Sequence, residues 1–429
     1  MSTWLLPRSS LTPDQSQIVS LPPTEHRIVQ GGPGSGKTQV LVHRAAHLAG
    51  KYKVPASKYR VFVFTNIIKE YIRSGFQFLN LPDETVGTFD SWCYLLYENH
   101  ISRAIPRSGS SIDFDAIREG VSWLLSRKPA LRGLLDFVLV DEGQDLAPEV
   151  YRILTLAAAH VTVFIDPYQK IFEDGAQTQA IMESLGVRRG GQMLLATYRN
   201  APFVAYLASH FLPDVEAQAQ FLRQVSATQK IKERPLYYVA GTFDEEMDRV
   251  AEIIRQRLVM NERVGIIVGT NRLVHGLAKG LAERRVVVEK AVAKWEGRAV
   301  NVQCDFSSNL PKIATFHMAK GLTFDTVILP RLVERSFLEG YRLSTEETRR
   351  RLLFVGIARA TQWVFLSSVR GQAVGELGVL RDAEREGHLV IQAGGGDWKQ
   401  DAGGGGRDEG AGPRSGGGGP DSGDDFEPF

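Results

Sequence analysis

Between a short apolar run and a helix-forming segment lies Gly31-Gly-Pro-Gly-Ser-Gly36-Lys37-Thr38, a fit to the phosphate-binding pattern G-x-x-x-x-G-K-[ST]. His26-Arg-Ile-Val-Gln30 reads as a strand and Gln39-Val-Leu-Val-His-Arg-Ala-Ala-His-Leu48 as a helix, the setting this pattern requires. Gly31, Gly34 and Gly36 let backbone N–H groups, that of Ser35 included, close around phosphate oxygens. Lys37 reaches the β- and γ-phosphates, Thr38 offers its hydroxyl to Mg²⁺, and the helix N-terminus faces the anion. A nucleotide such as ATP with Mg²⁺ is the ligand this arrangement suits.

A second motif answers the first. Leu134-Leu-Asp-Phe-Val-Leu-Val140 is an apolar run suited to a buried parallel strand, and Asp141-Glu142-Gly143-Gln144-Asp145 follows it. At the strand's C-terminal end Asp141 can hold the water shell of the metal, while Glu142 can orient and deprotonate an attacking water. Together the motifs predict nucleotide hydrolysis.

The 429 residues suffice for two or three domains, and 43% hydrophobic content is that of a soluble globular chain. No apolar run reaches membrane-spanning length, and Met1-Ser-Thr-Trp-Leu-Leu-Pro-Arg8 lacks the apolar core of a signal peptide. Cys93 and Cys304 are too few for a disulfide framework or a metal cluster, which points to a reducing cytoplasm. The net charge of +2 is uneven: residues 394–429 carry three basic and eight acidic side chains, leaving the body at +7. Such a body suits a polyanion, although solvated lysines and arginines are the ordinary explanation.

Strand candidates alternate with amphipathic helices, the signature of a parallel α/β architecture. Val61–Phe64, Phe137–Val140 and Val161–Ile165 go with the phosphate-loop strand. A second set comprises Leu236–Val239, Val264–Val268, Ile313–Thr315, Thr326–Leu329 and Trp363–Leu366, with helices at Glu245–Leu258 and Arg272–Arg284. Two successive α/β domains are expected, 1–190 and 191–393, the boundary falling near Arg188–Gln192 and a small helical insertion at about 94–130. Residues 394–429, rich in glycine with Asp, Ser, Arg and Pro, cannot bury a core and are expected to form a flexible coil.

Further segments form an ordered series: Leu11-Thr-Pro-Asp-Gln15, Phe64-Thr65-Asn66, Thr88-Phe89-Asp90-Ser91, Asp166-Pro-Tyr-Gln169, Thr197-Tyr198-Arg199-Asn200, Thr315-Phe-His317-Met-Ala-Lys320-Gly321-Leu322 and Val355-Gly356-Ile-Ala-Arg359-Ala360. In order and spacing, over about residues 10–370, the chain resembles superfamily 1 helicases of the UvrD/Rep type. The resemblance implies two RecA-like domains with ATP in the cleft between them and single-stranded DNA, alone or as the tail of a duplex, across their tops. It places Gln15 on the adenine edge, Tyr198 on its ring, Gln169 at the γ-phosphate and Gly321 among the nucleotide contacts. Arg199 and Arg359 become arginine fingers, a task suited to a planar guanidinium. For the strand channel it points to Phe64, Thr65, Asn66, Thr88, Phe89, Phe172, Thr315 and His317, whose aromatic faces can stack bases while hydroxyl and amide groups hold phosphates. Ordinary core packing is the competing reading of Phe64, Phe89 and Phe172. Translocation 3′→5′ is implied by the resemblance alone.

Four departures qualify it. Thr323 stands where the family has a glutamate that contacts the ribose, and Gln39 stands where an arginine often follows the phosphate-loop threonine. Glu173 and Asp174 bring acid to a place where relatives commonly set Trp and Arg against a base. Only 45 residues separate Ser91 from Phe137, and under thirty separate Arg284 from Ile313, where larger relatives insert accessory domains. A bare motor core that needs a partner is the corresponding expectation.

The chain ends Asp424-Asp425-Phe426-Glu427-Pro428-Phe429 on its glycine-rich leash, which resembles the tip of bacterial single-stranded-DNA-binding proteins. A terminal aromatic can fill a pocket while its carboxylate meets an arginine and the preceding acids meet a basic rim. Asp424, Asp425, Phe426, Pro428 and Phe429 are thus candidates for recruiting proteins that bind such tips, or for folding back on the basic body; a solubilising tail is the plain alternative.

Overall fold

A computed structural model describes residues 4–166, 178–188, 192–195, 201–223, 233–296, 299–302, 304–306, 308–337 and 345–394. Helix α1 (Pro13–Ser20) precedes strand β1 (Arg27–Gly31), helix α2 (Lys37–Lys51) and strand β2 (Tyr59–Val63). Then come α3 (Asn66–Phe78), β3 (Val86–Thr88), α4 (Phe89–His100), a small hairpin of β4 (Arg107–Ser108) and β5 (Ser111–Ile112), and α5 (Phe114–Arg127). Strand β6 (Leu135–Val140), α6 (Pro148–Ala157), β7 (Ala158–Ile165), α7 (Thr178–Leu185) and β8 (Gln192–Leu195) complete the first sheet, which is wholly parallel in the order β3-β2-β6-β7-β1-β8.

The second part begins with α8 (Pro202–Ser209) and α9 (Val215–Arg223). Strand β9 (Leu236–Ala240), α10 (Phe243–Val259), β10 (Val264–Val268) and α11 (Asn271–Glu283) follow, then β11 (Glu289–Lys290) and a hairpin of β12 (Ala293–Glu296) with β13 (Ala299–Val302). Next are β14 (Lys312–Thr315), α12 (Phe316–Ala319), β15 (Phe324–Leu329), α13 (Glu334–Phe337), α14 (Glu346–Ile357), β16 (Ala360–Val369), α15 (Leu380–Arg385) and β17 (Val390–Ala393). This sheet too is wholly parallel, in the order β11-β14-β10-β15-β16-β9-β17. The architecture is the expected α/β one, two RecA-like units each built on a parallel sheet.

The strands are buried along almost their whole length, as sheets covered on both faces require. Threonine sets where several helices begin. The hydroxyls of Thr65, Thr88, Thr242, Thr270, Thr315 and Thr345 each accept a backbone N–H of the first turn, a cap worth about 1 kcal/mol apiece. One apolar cluster packs α4, α5 and α6 on the first sheet, a second covers the second sheet under α10 and α11, and a third draws side chains from both, Tyr71 and Phe324 among them.

Two local details go beyond the sequence pattern. The segment at 94–130 is two helices joined by a β-hairpin, because Arg107-Ser-Gly-Ser-Ser-Ile112 turns at Gly109, whose φ of 61° suits glycine. The division near residue 190 falls before β8, which hydrogen-bonds to β1 and therefore extends the first sheet to Leu195. Among the described residues no helix is long and apolar enough to cross a membrane.

Candidate nucleotide and nucleic-acid site

The phosphate loop leaves β1 and turns into α2 at Gly36, whose φ of 83° is left-handed and whose absent side chain leaves room for Gln15. A Cβ there would come 2.6 Å from Gln15 Nε2. Gln15 itself is fixed by a capping box: its backbone N–H donates to Thr12 Oγ1 at 3.3 Å and its Oε1 accepts from Thr12 N at 3.0 Å. Its Nε2 donates to the Ser35 carbonyl at 2.9 Å, which ties the loop to α1. Arg44, wholly buried on α2, donates to the carbonyls of Ile18 and Leu21 and to Thr162 Oγ1, binding α1 to the sheet.

Lys37 is buried and its three N–H bonds have three acceptors: the carbonyls of Gly31 (2.8 Å) and Gly32 (3.2 Å) and Asp166 Oδ2 (2.9 Å). Thr38 Oγ1 donates to Asp141 Oδ2 at 3.2 Å, and Glu142 N donates to Asp141 Oδ1 at 3.1 Å. Gln144 Nε2 donates to Glu142 Oε2 at 2.6 Å while its Oε1 accepts from Asp166 N at 3.0 Å. The residues foreseen at the two motifs, Lys37, Thr38, Asp141 and Glu142, thus meet in one hydrogen-bonded cluster at the C-terminal ends of β1, β6 and β7. Glu142 adopts a left-handed backbone with φ 50°, uncommon for a side chain of this kind and held by its neighbours. Ser35 Oγ is buried in the loop with no hydrogen-bond partner among the described residues. That orphaned hydroxyl, the glycine turn and the Thr38–Asp141 oxygens fit a phosphate chain and a hard divalent cation.

From the second half come Lys320, Gly321 and Arg359. Lys320 Nζ lies 2.5 Å from Asp145 Oδ2, and Gly321, with φ 79°, approaches so closely that a Cβ would stand 2.8 Å from Ile68 Cδ1 and 3.9 Å from Glu142 Oε1. Arg359 is buried with its Nε donating to the Val355 carbonyl at 3.1 Å. Burial lowers its pKa, and the carboxylates of Glu142, Asp166 and Asp141 oppose that loss. Burial would raise Glu142, but Lys320, Lys37 and Arg359 outweigh it and hold the carboxyl below its ordinary value. Asp141, by contrast, is pushed up to about 7 by burial and then by Glu142. Two neighbouring carboxyls pushed apart in this way can divide the work of an ionised base and a metal ligand.

The cleft is lined by Gly34, Gly36, Lys37, Thr38, Glu142, Gly321, Thr323 and Arg359, with two unforeseen aromatics, Trp4 and Tyr71. Their rings stack with centroids 4.1 Å apart. Gln39, in place of a cation, holds this wall: its Nε2 donates to the Trp4 carbonyl at 2.7 Å and its Oε1 accepts from Leu6 N at 2.9 Å. The amide of Gln39 was the one legible sign, since it can both donate and accept where an arginine only donates.

For the strand channel the structure divides the expected set. Thr88 and Thr315 end β3 and β14, Thr65 follows the end of β2 by two residues, and the three cap α4, α12 and α3, which puts helix N-termini at the same ends of both sheets. Phe64, Asn66 and His317 are half-buried beside them. Phe89 is not at the surface: it is buried, edge-on to Phe62 at 5.6 Å, because the first residue of α4 turns inward onto the sheet. Gln169, Phe172, Asp174, Tyr198, Arg199 and the tip residues Asp424, Asp425, Phe426, Pro428 and Phe429 lie outside the described residues.

Comparison with known proteins gives two family matches in the order of the fold. The UvrD/REP helicase N-terminal domain matches residues 11–132, and the UvrD-like helicase C-terminal domain matches residues 301–371. No curated protein matches. Among solved structures, the C-terminal domain of a possible DNA helicase from Lactobacillus plantarum WCFS1 aligns at 19% identity and TM-score 0.33, over 46% of this chain and 99% of that one. The N-terminal match carries the phosphate loop and the C-terminal match carries Lys320 and Arg359; this chain is an ATP-hydrolysing enzyme of helicase type, similar in those two regions to UvrD-like helicases.

Proposed function

We propose that the chain is a DNA motor that hydrolyses ATP in response to single-stranded DNA and moves along it 3′→5′. The observation that carries this reading is the approach of Lys320, Gly321 and Arg359, all from the second half, to Glu142 and Asp145 of the first. A carboxylate whose ionisation depends on cations from the other half is competent only while the cleft is closed, which links turnover to domain movement. Lys37 exchanges its carbonyl and Asp166 acceptors for β- and γ-phosphate oxygens. Thr38 and Asp141 hold Mg²⁺, Glu142 takes the proton of the attacking water, and Arg359 meets the transferring phosphoryl group. A Mg²⁺ ion held there by Thr38 and Asp141 would supply positive charge against the charge developing on the phosphoryl group. Gln15 and Gly321 border the nucleotide; Gln169, Tyr198 and Arg199 enter by resemblance.

The strand would run over the ends of the sheets where Thr65, Thr88 and Thr315 begin helices, since N–H groups and the helix dipole favour phosphates there. The setting is DNA repair, replication or recombination in a bacterial cytoplasm, with the acidic aromatic tip recruiting proteins that bind such tips. A second reading is favoured by the small connections: a two-stranded hairpin at 293–302 and the 107–112 hairpin stand where larger relatives carry accessory domains. On that reading the chain is the ATPase subunit of a larger repair or anti-phage complex and unwinds little alone.

One experiment separates these. ATPase rate and strand displacement are measured on the full chain with single-stranded DNA, duplex DNA and RNA, beside Glu142→Gln. The motor reading expects stimulation by single-stranded DNA and loss of turnover with retained ATP binding in Glu142→Gln. ATPase activity indifferent to DNA would sink it, and robust unwinding by the isolated chain would sink the subunit reading.

A further inference from the structure

Far from the nucleotide in the chain, three ligand-bearing side chains converge at the C-terminal ends of two helices of the second half. His210 is the C-cap of α8 and Glu386 the C-cap of α15. Gly387, with φ 77°, then reverses the chain, so that His388 N donates to the Ala383 carbonyl at 2.8 Å and Gly387 N to the Glu384 carbonyl at 2.9 Å. This is a Schellman ending, and it brings Glu386 and His388, two residues apart, to one point.

We propose that His210, Glu386 and His388 form a divalent-cation site, suited to Zn²⁺, that ties α8 to the turn leading into β17. The three facing atoms make a nearly regular triangle. His210 Nε2 and His388 Nδ1 are 3.2 Å apart, and each is 3.5 Å from Glu386 Oε2. Ligands sharing a tetrahedral zinc at bond lengths of about 2.0–2.1 Å stand about 3.3–3.4 Å from each other. The two imidazole nitrogens at 3.2 Å are also within hydrogen-bond reach, whereas the two carboxylate contacts at 3.5 Å are longer than the usual value of about 2.9–3.0 Å. The triangle has the size of a coordination face.

The surroundings agree with two nitrogens and one oxygen as ligands. Burial lowers the pKa of both imidazoles, and the Glu386 carboxylate opposes that shift at each of them. The ring of His388 is held by Tyr206, stacked on it at 4.6 Å and 20° from one turn earlier on α8. Arg350 of α14 is turned to the His210 carbonyl, at 3.1 Å, rather than into the triangle. Glu386 is exposed, which leaves the fourth position of the tetrahedron open to water. Imidazole and carboxylate suit Zn²⁺ and exclude a preference for Mg²⁺ or Ca²⁺, which take oxygen.

The test uses the full chain, purified without a histidine tag and stripped with chelator, titrated calorimetrically with Zn²⁺ and followed with Co²⁺ by its visible spectrum. One equivalent of saturable Zn²⁺ and an intense tetrahedral Co²⁺ band are expected. His388→Ala should weaken Zn²⁺ binding by more than the ~10–100-fold that loss of an outer-shell partner costs. Glu386→Gln, on an exposed side chain that leaves the core intact, should weaken it as well and keep the melting profile of the metal-free protein. Absence of saturable binding, or binding that both variants leave unchanged, would overturn the proposal.

Discussion

Lys320 Nζ, just after α12, meets Asp145 Oδ2, just after β6, at 2.5 Å, with side-chain exposures of 3% and 0%. The pair joins the two sheets beside Glu142. Breaking a buried pair from one side leaves an uncompensated charge and typically costs about 3–5 kcal/mol. Lys320→Met is therefore expected to lower stability by about that amount in denaturant melts, and adding Asp145→Asn to recover much of it. Turnover should not recover with it. Without Lys320, burial pushes the Glu142 carboxyl upward, so the acid limb of the rate–pH profile moves to higher pH in both variants. An unmoved limb would show that Lys320 acts on structure alone.

Asp141 supplies a pH prediction with a definite sign. Its folded pKa of about 7 lies above its ordinary 3.8, so the native state holds a proton that the unfolded chain gives up. This group favours folding at low pH, and that contribution is lost as pH rises through 7. Asp141→Asn removes the ionisation. In the absence of nucleotide and Mg²⁺ it should stabilise the protein at pH 8, by up to about 4 kcal/mol, with a gain that shrinks below pH 7 and vanishes near pH 4. Melts of both proteins at pH 8 and pH 5 check it; an equal difference at both pH values would refute the burial argument.

The sheet strands were legible because a parallel strand covered on both faces reads as an apolar run, as Val264–Val268 does in full and Leu135–Val140 does apart from the exposed Asp136. Lys37, Thr38, Asp141 and Glu142 were legible because their chemistry demands fixed local spacing. Contacts between segments distant in sequence carry no such mark. Nothing in Trp4-Leu-Leu6 announces that its backbone is clasped by Gln39, or that Lys320 pairs with a residue 175 positions earlier. The two readings of Phe89 stayed open for a related reason. A residue between a strand and a helix can face either way, and the hydroxyl of Thr88, by capping α4, fixes the turn that sends Phe89 inward.

The Trp4 wall of the cleft makes its own prediction. Gly75 lies under the indole, and a Cβ there would come 2.7 Å from Trp4 Cζ2. In a helix interior Gly→Ala is ordinarily favourable by about 1 kcal/mol. Gly75→Ala should instead destabilise, shift the tryptophan fluorescence and raise the ATP concentration for half-maximal turnover, because it lifts the Trp4 ring from Tyr71. Trp4→Ala should reproduce the nucleotide effect and cost about 3–5 kcal/mol. A stabilised Gly75→Ala with unchanged nucleotide affinity would exclude Trp4 from the pocket.

Phe89 and Thr88 are adjacent and should separate cleanly in experiment. Phe89 packs edge-on to Phe62 and tilted against Trp92 at 6.0 Å, in the cluster beneath α4 and α5. Phe89→Ala is expected to cost about 3–5 kcal/mol of stability. Phe89→Leu, which keeps most of the volume, should fold and bind single-stranded DNA as the parent does, because the ring never reaches a base. Thr88→Val removes the cap hydroxyl that accepts from Ser91 N, so it should cost about 1 kcal/mol and also weaken DNA binding if phosphate sits at that helix start. Anisotropy titrations of a labelled oligonucleotide with the two variants decide the matter. Weaker binding by Phe89→Leu at unchanged stability would return Phe89 to the channel.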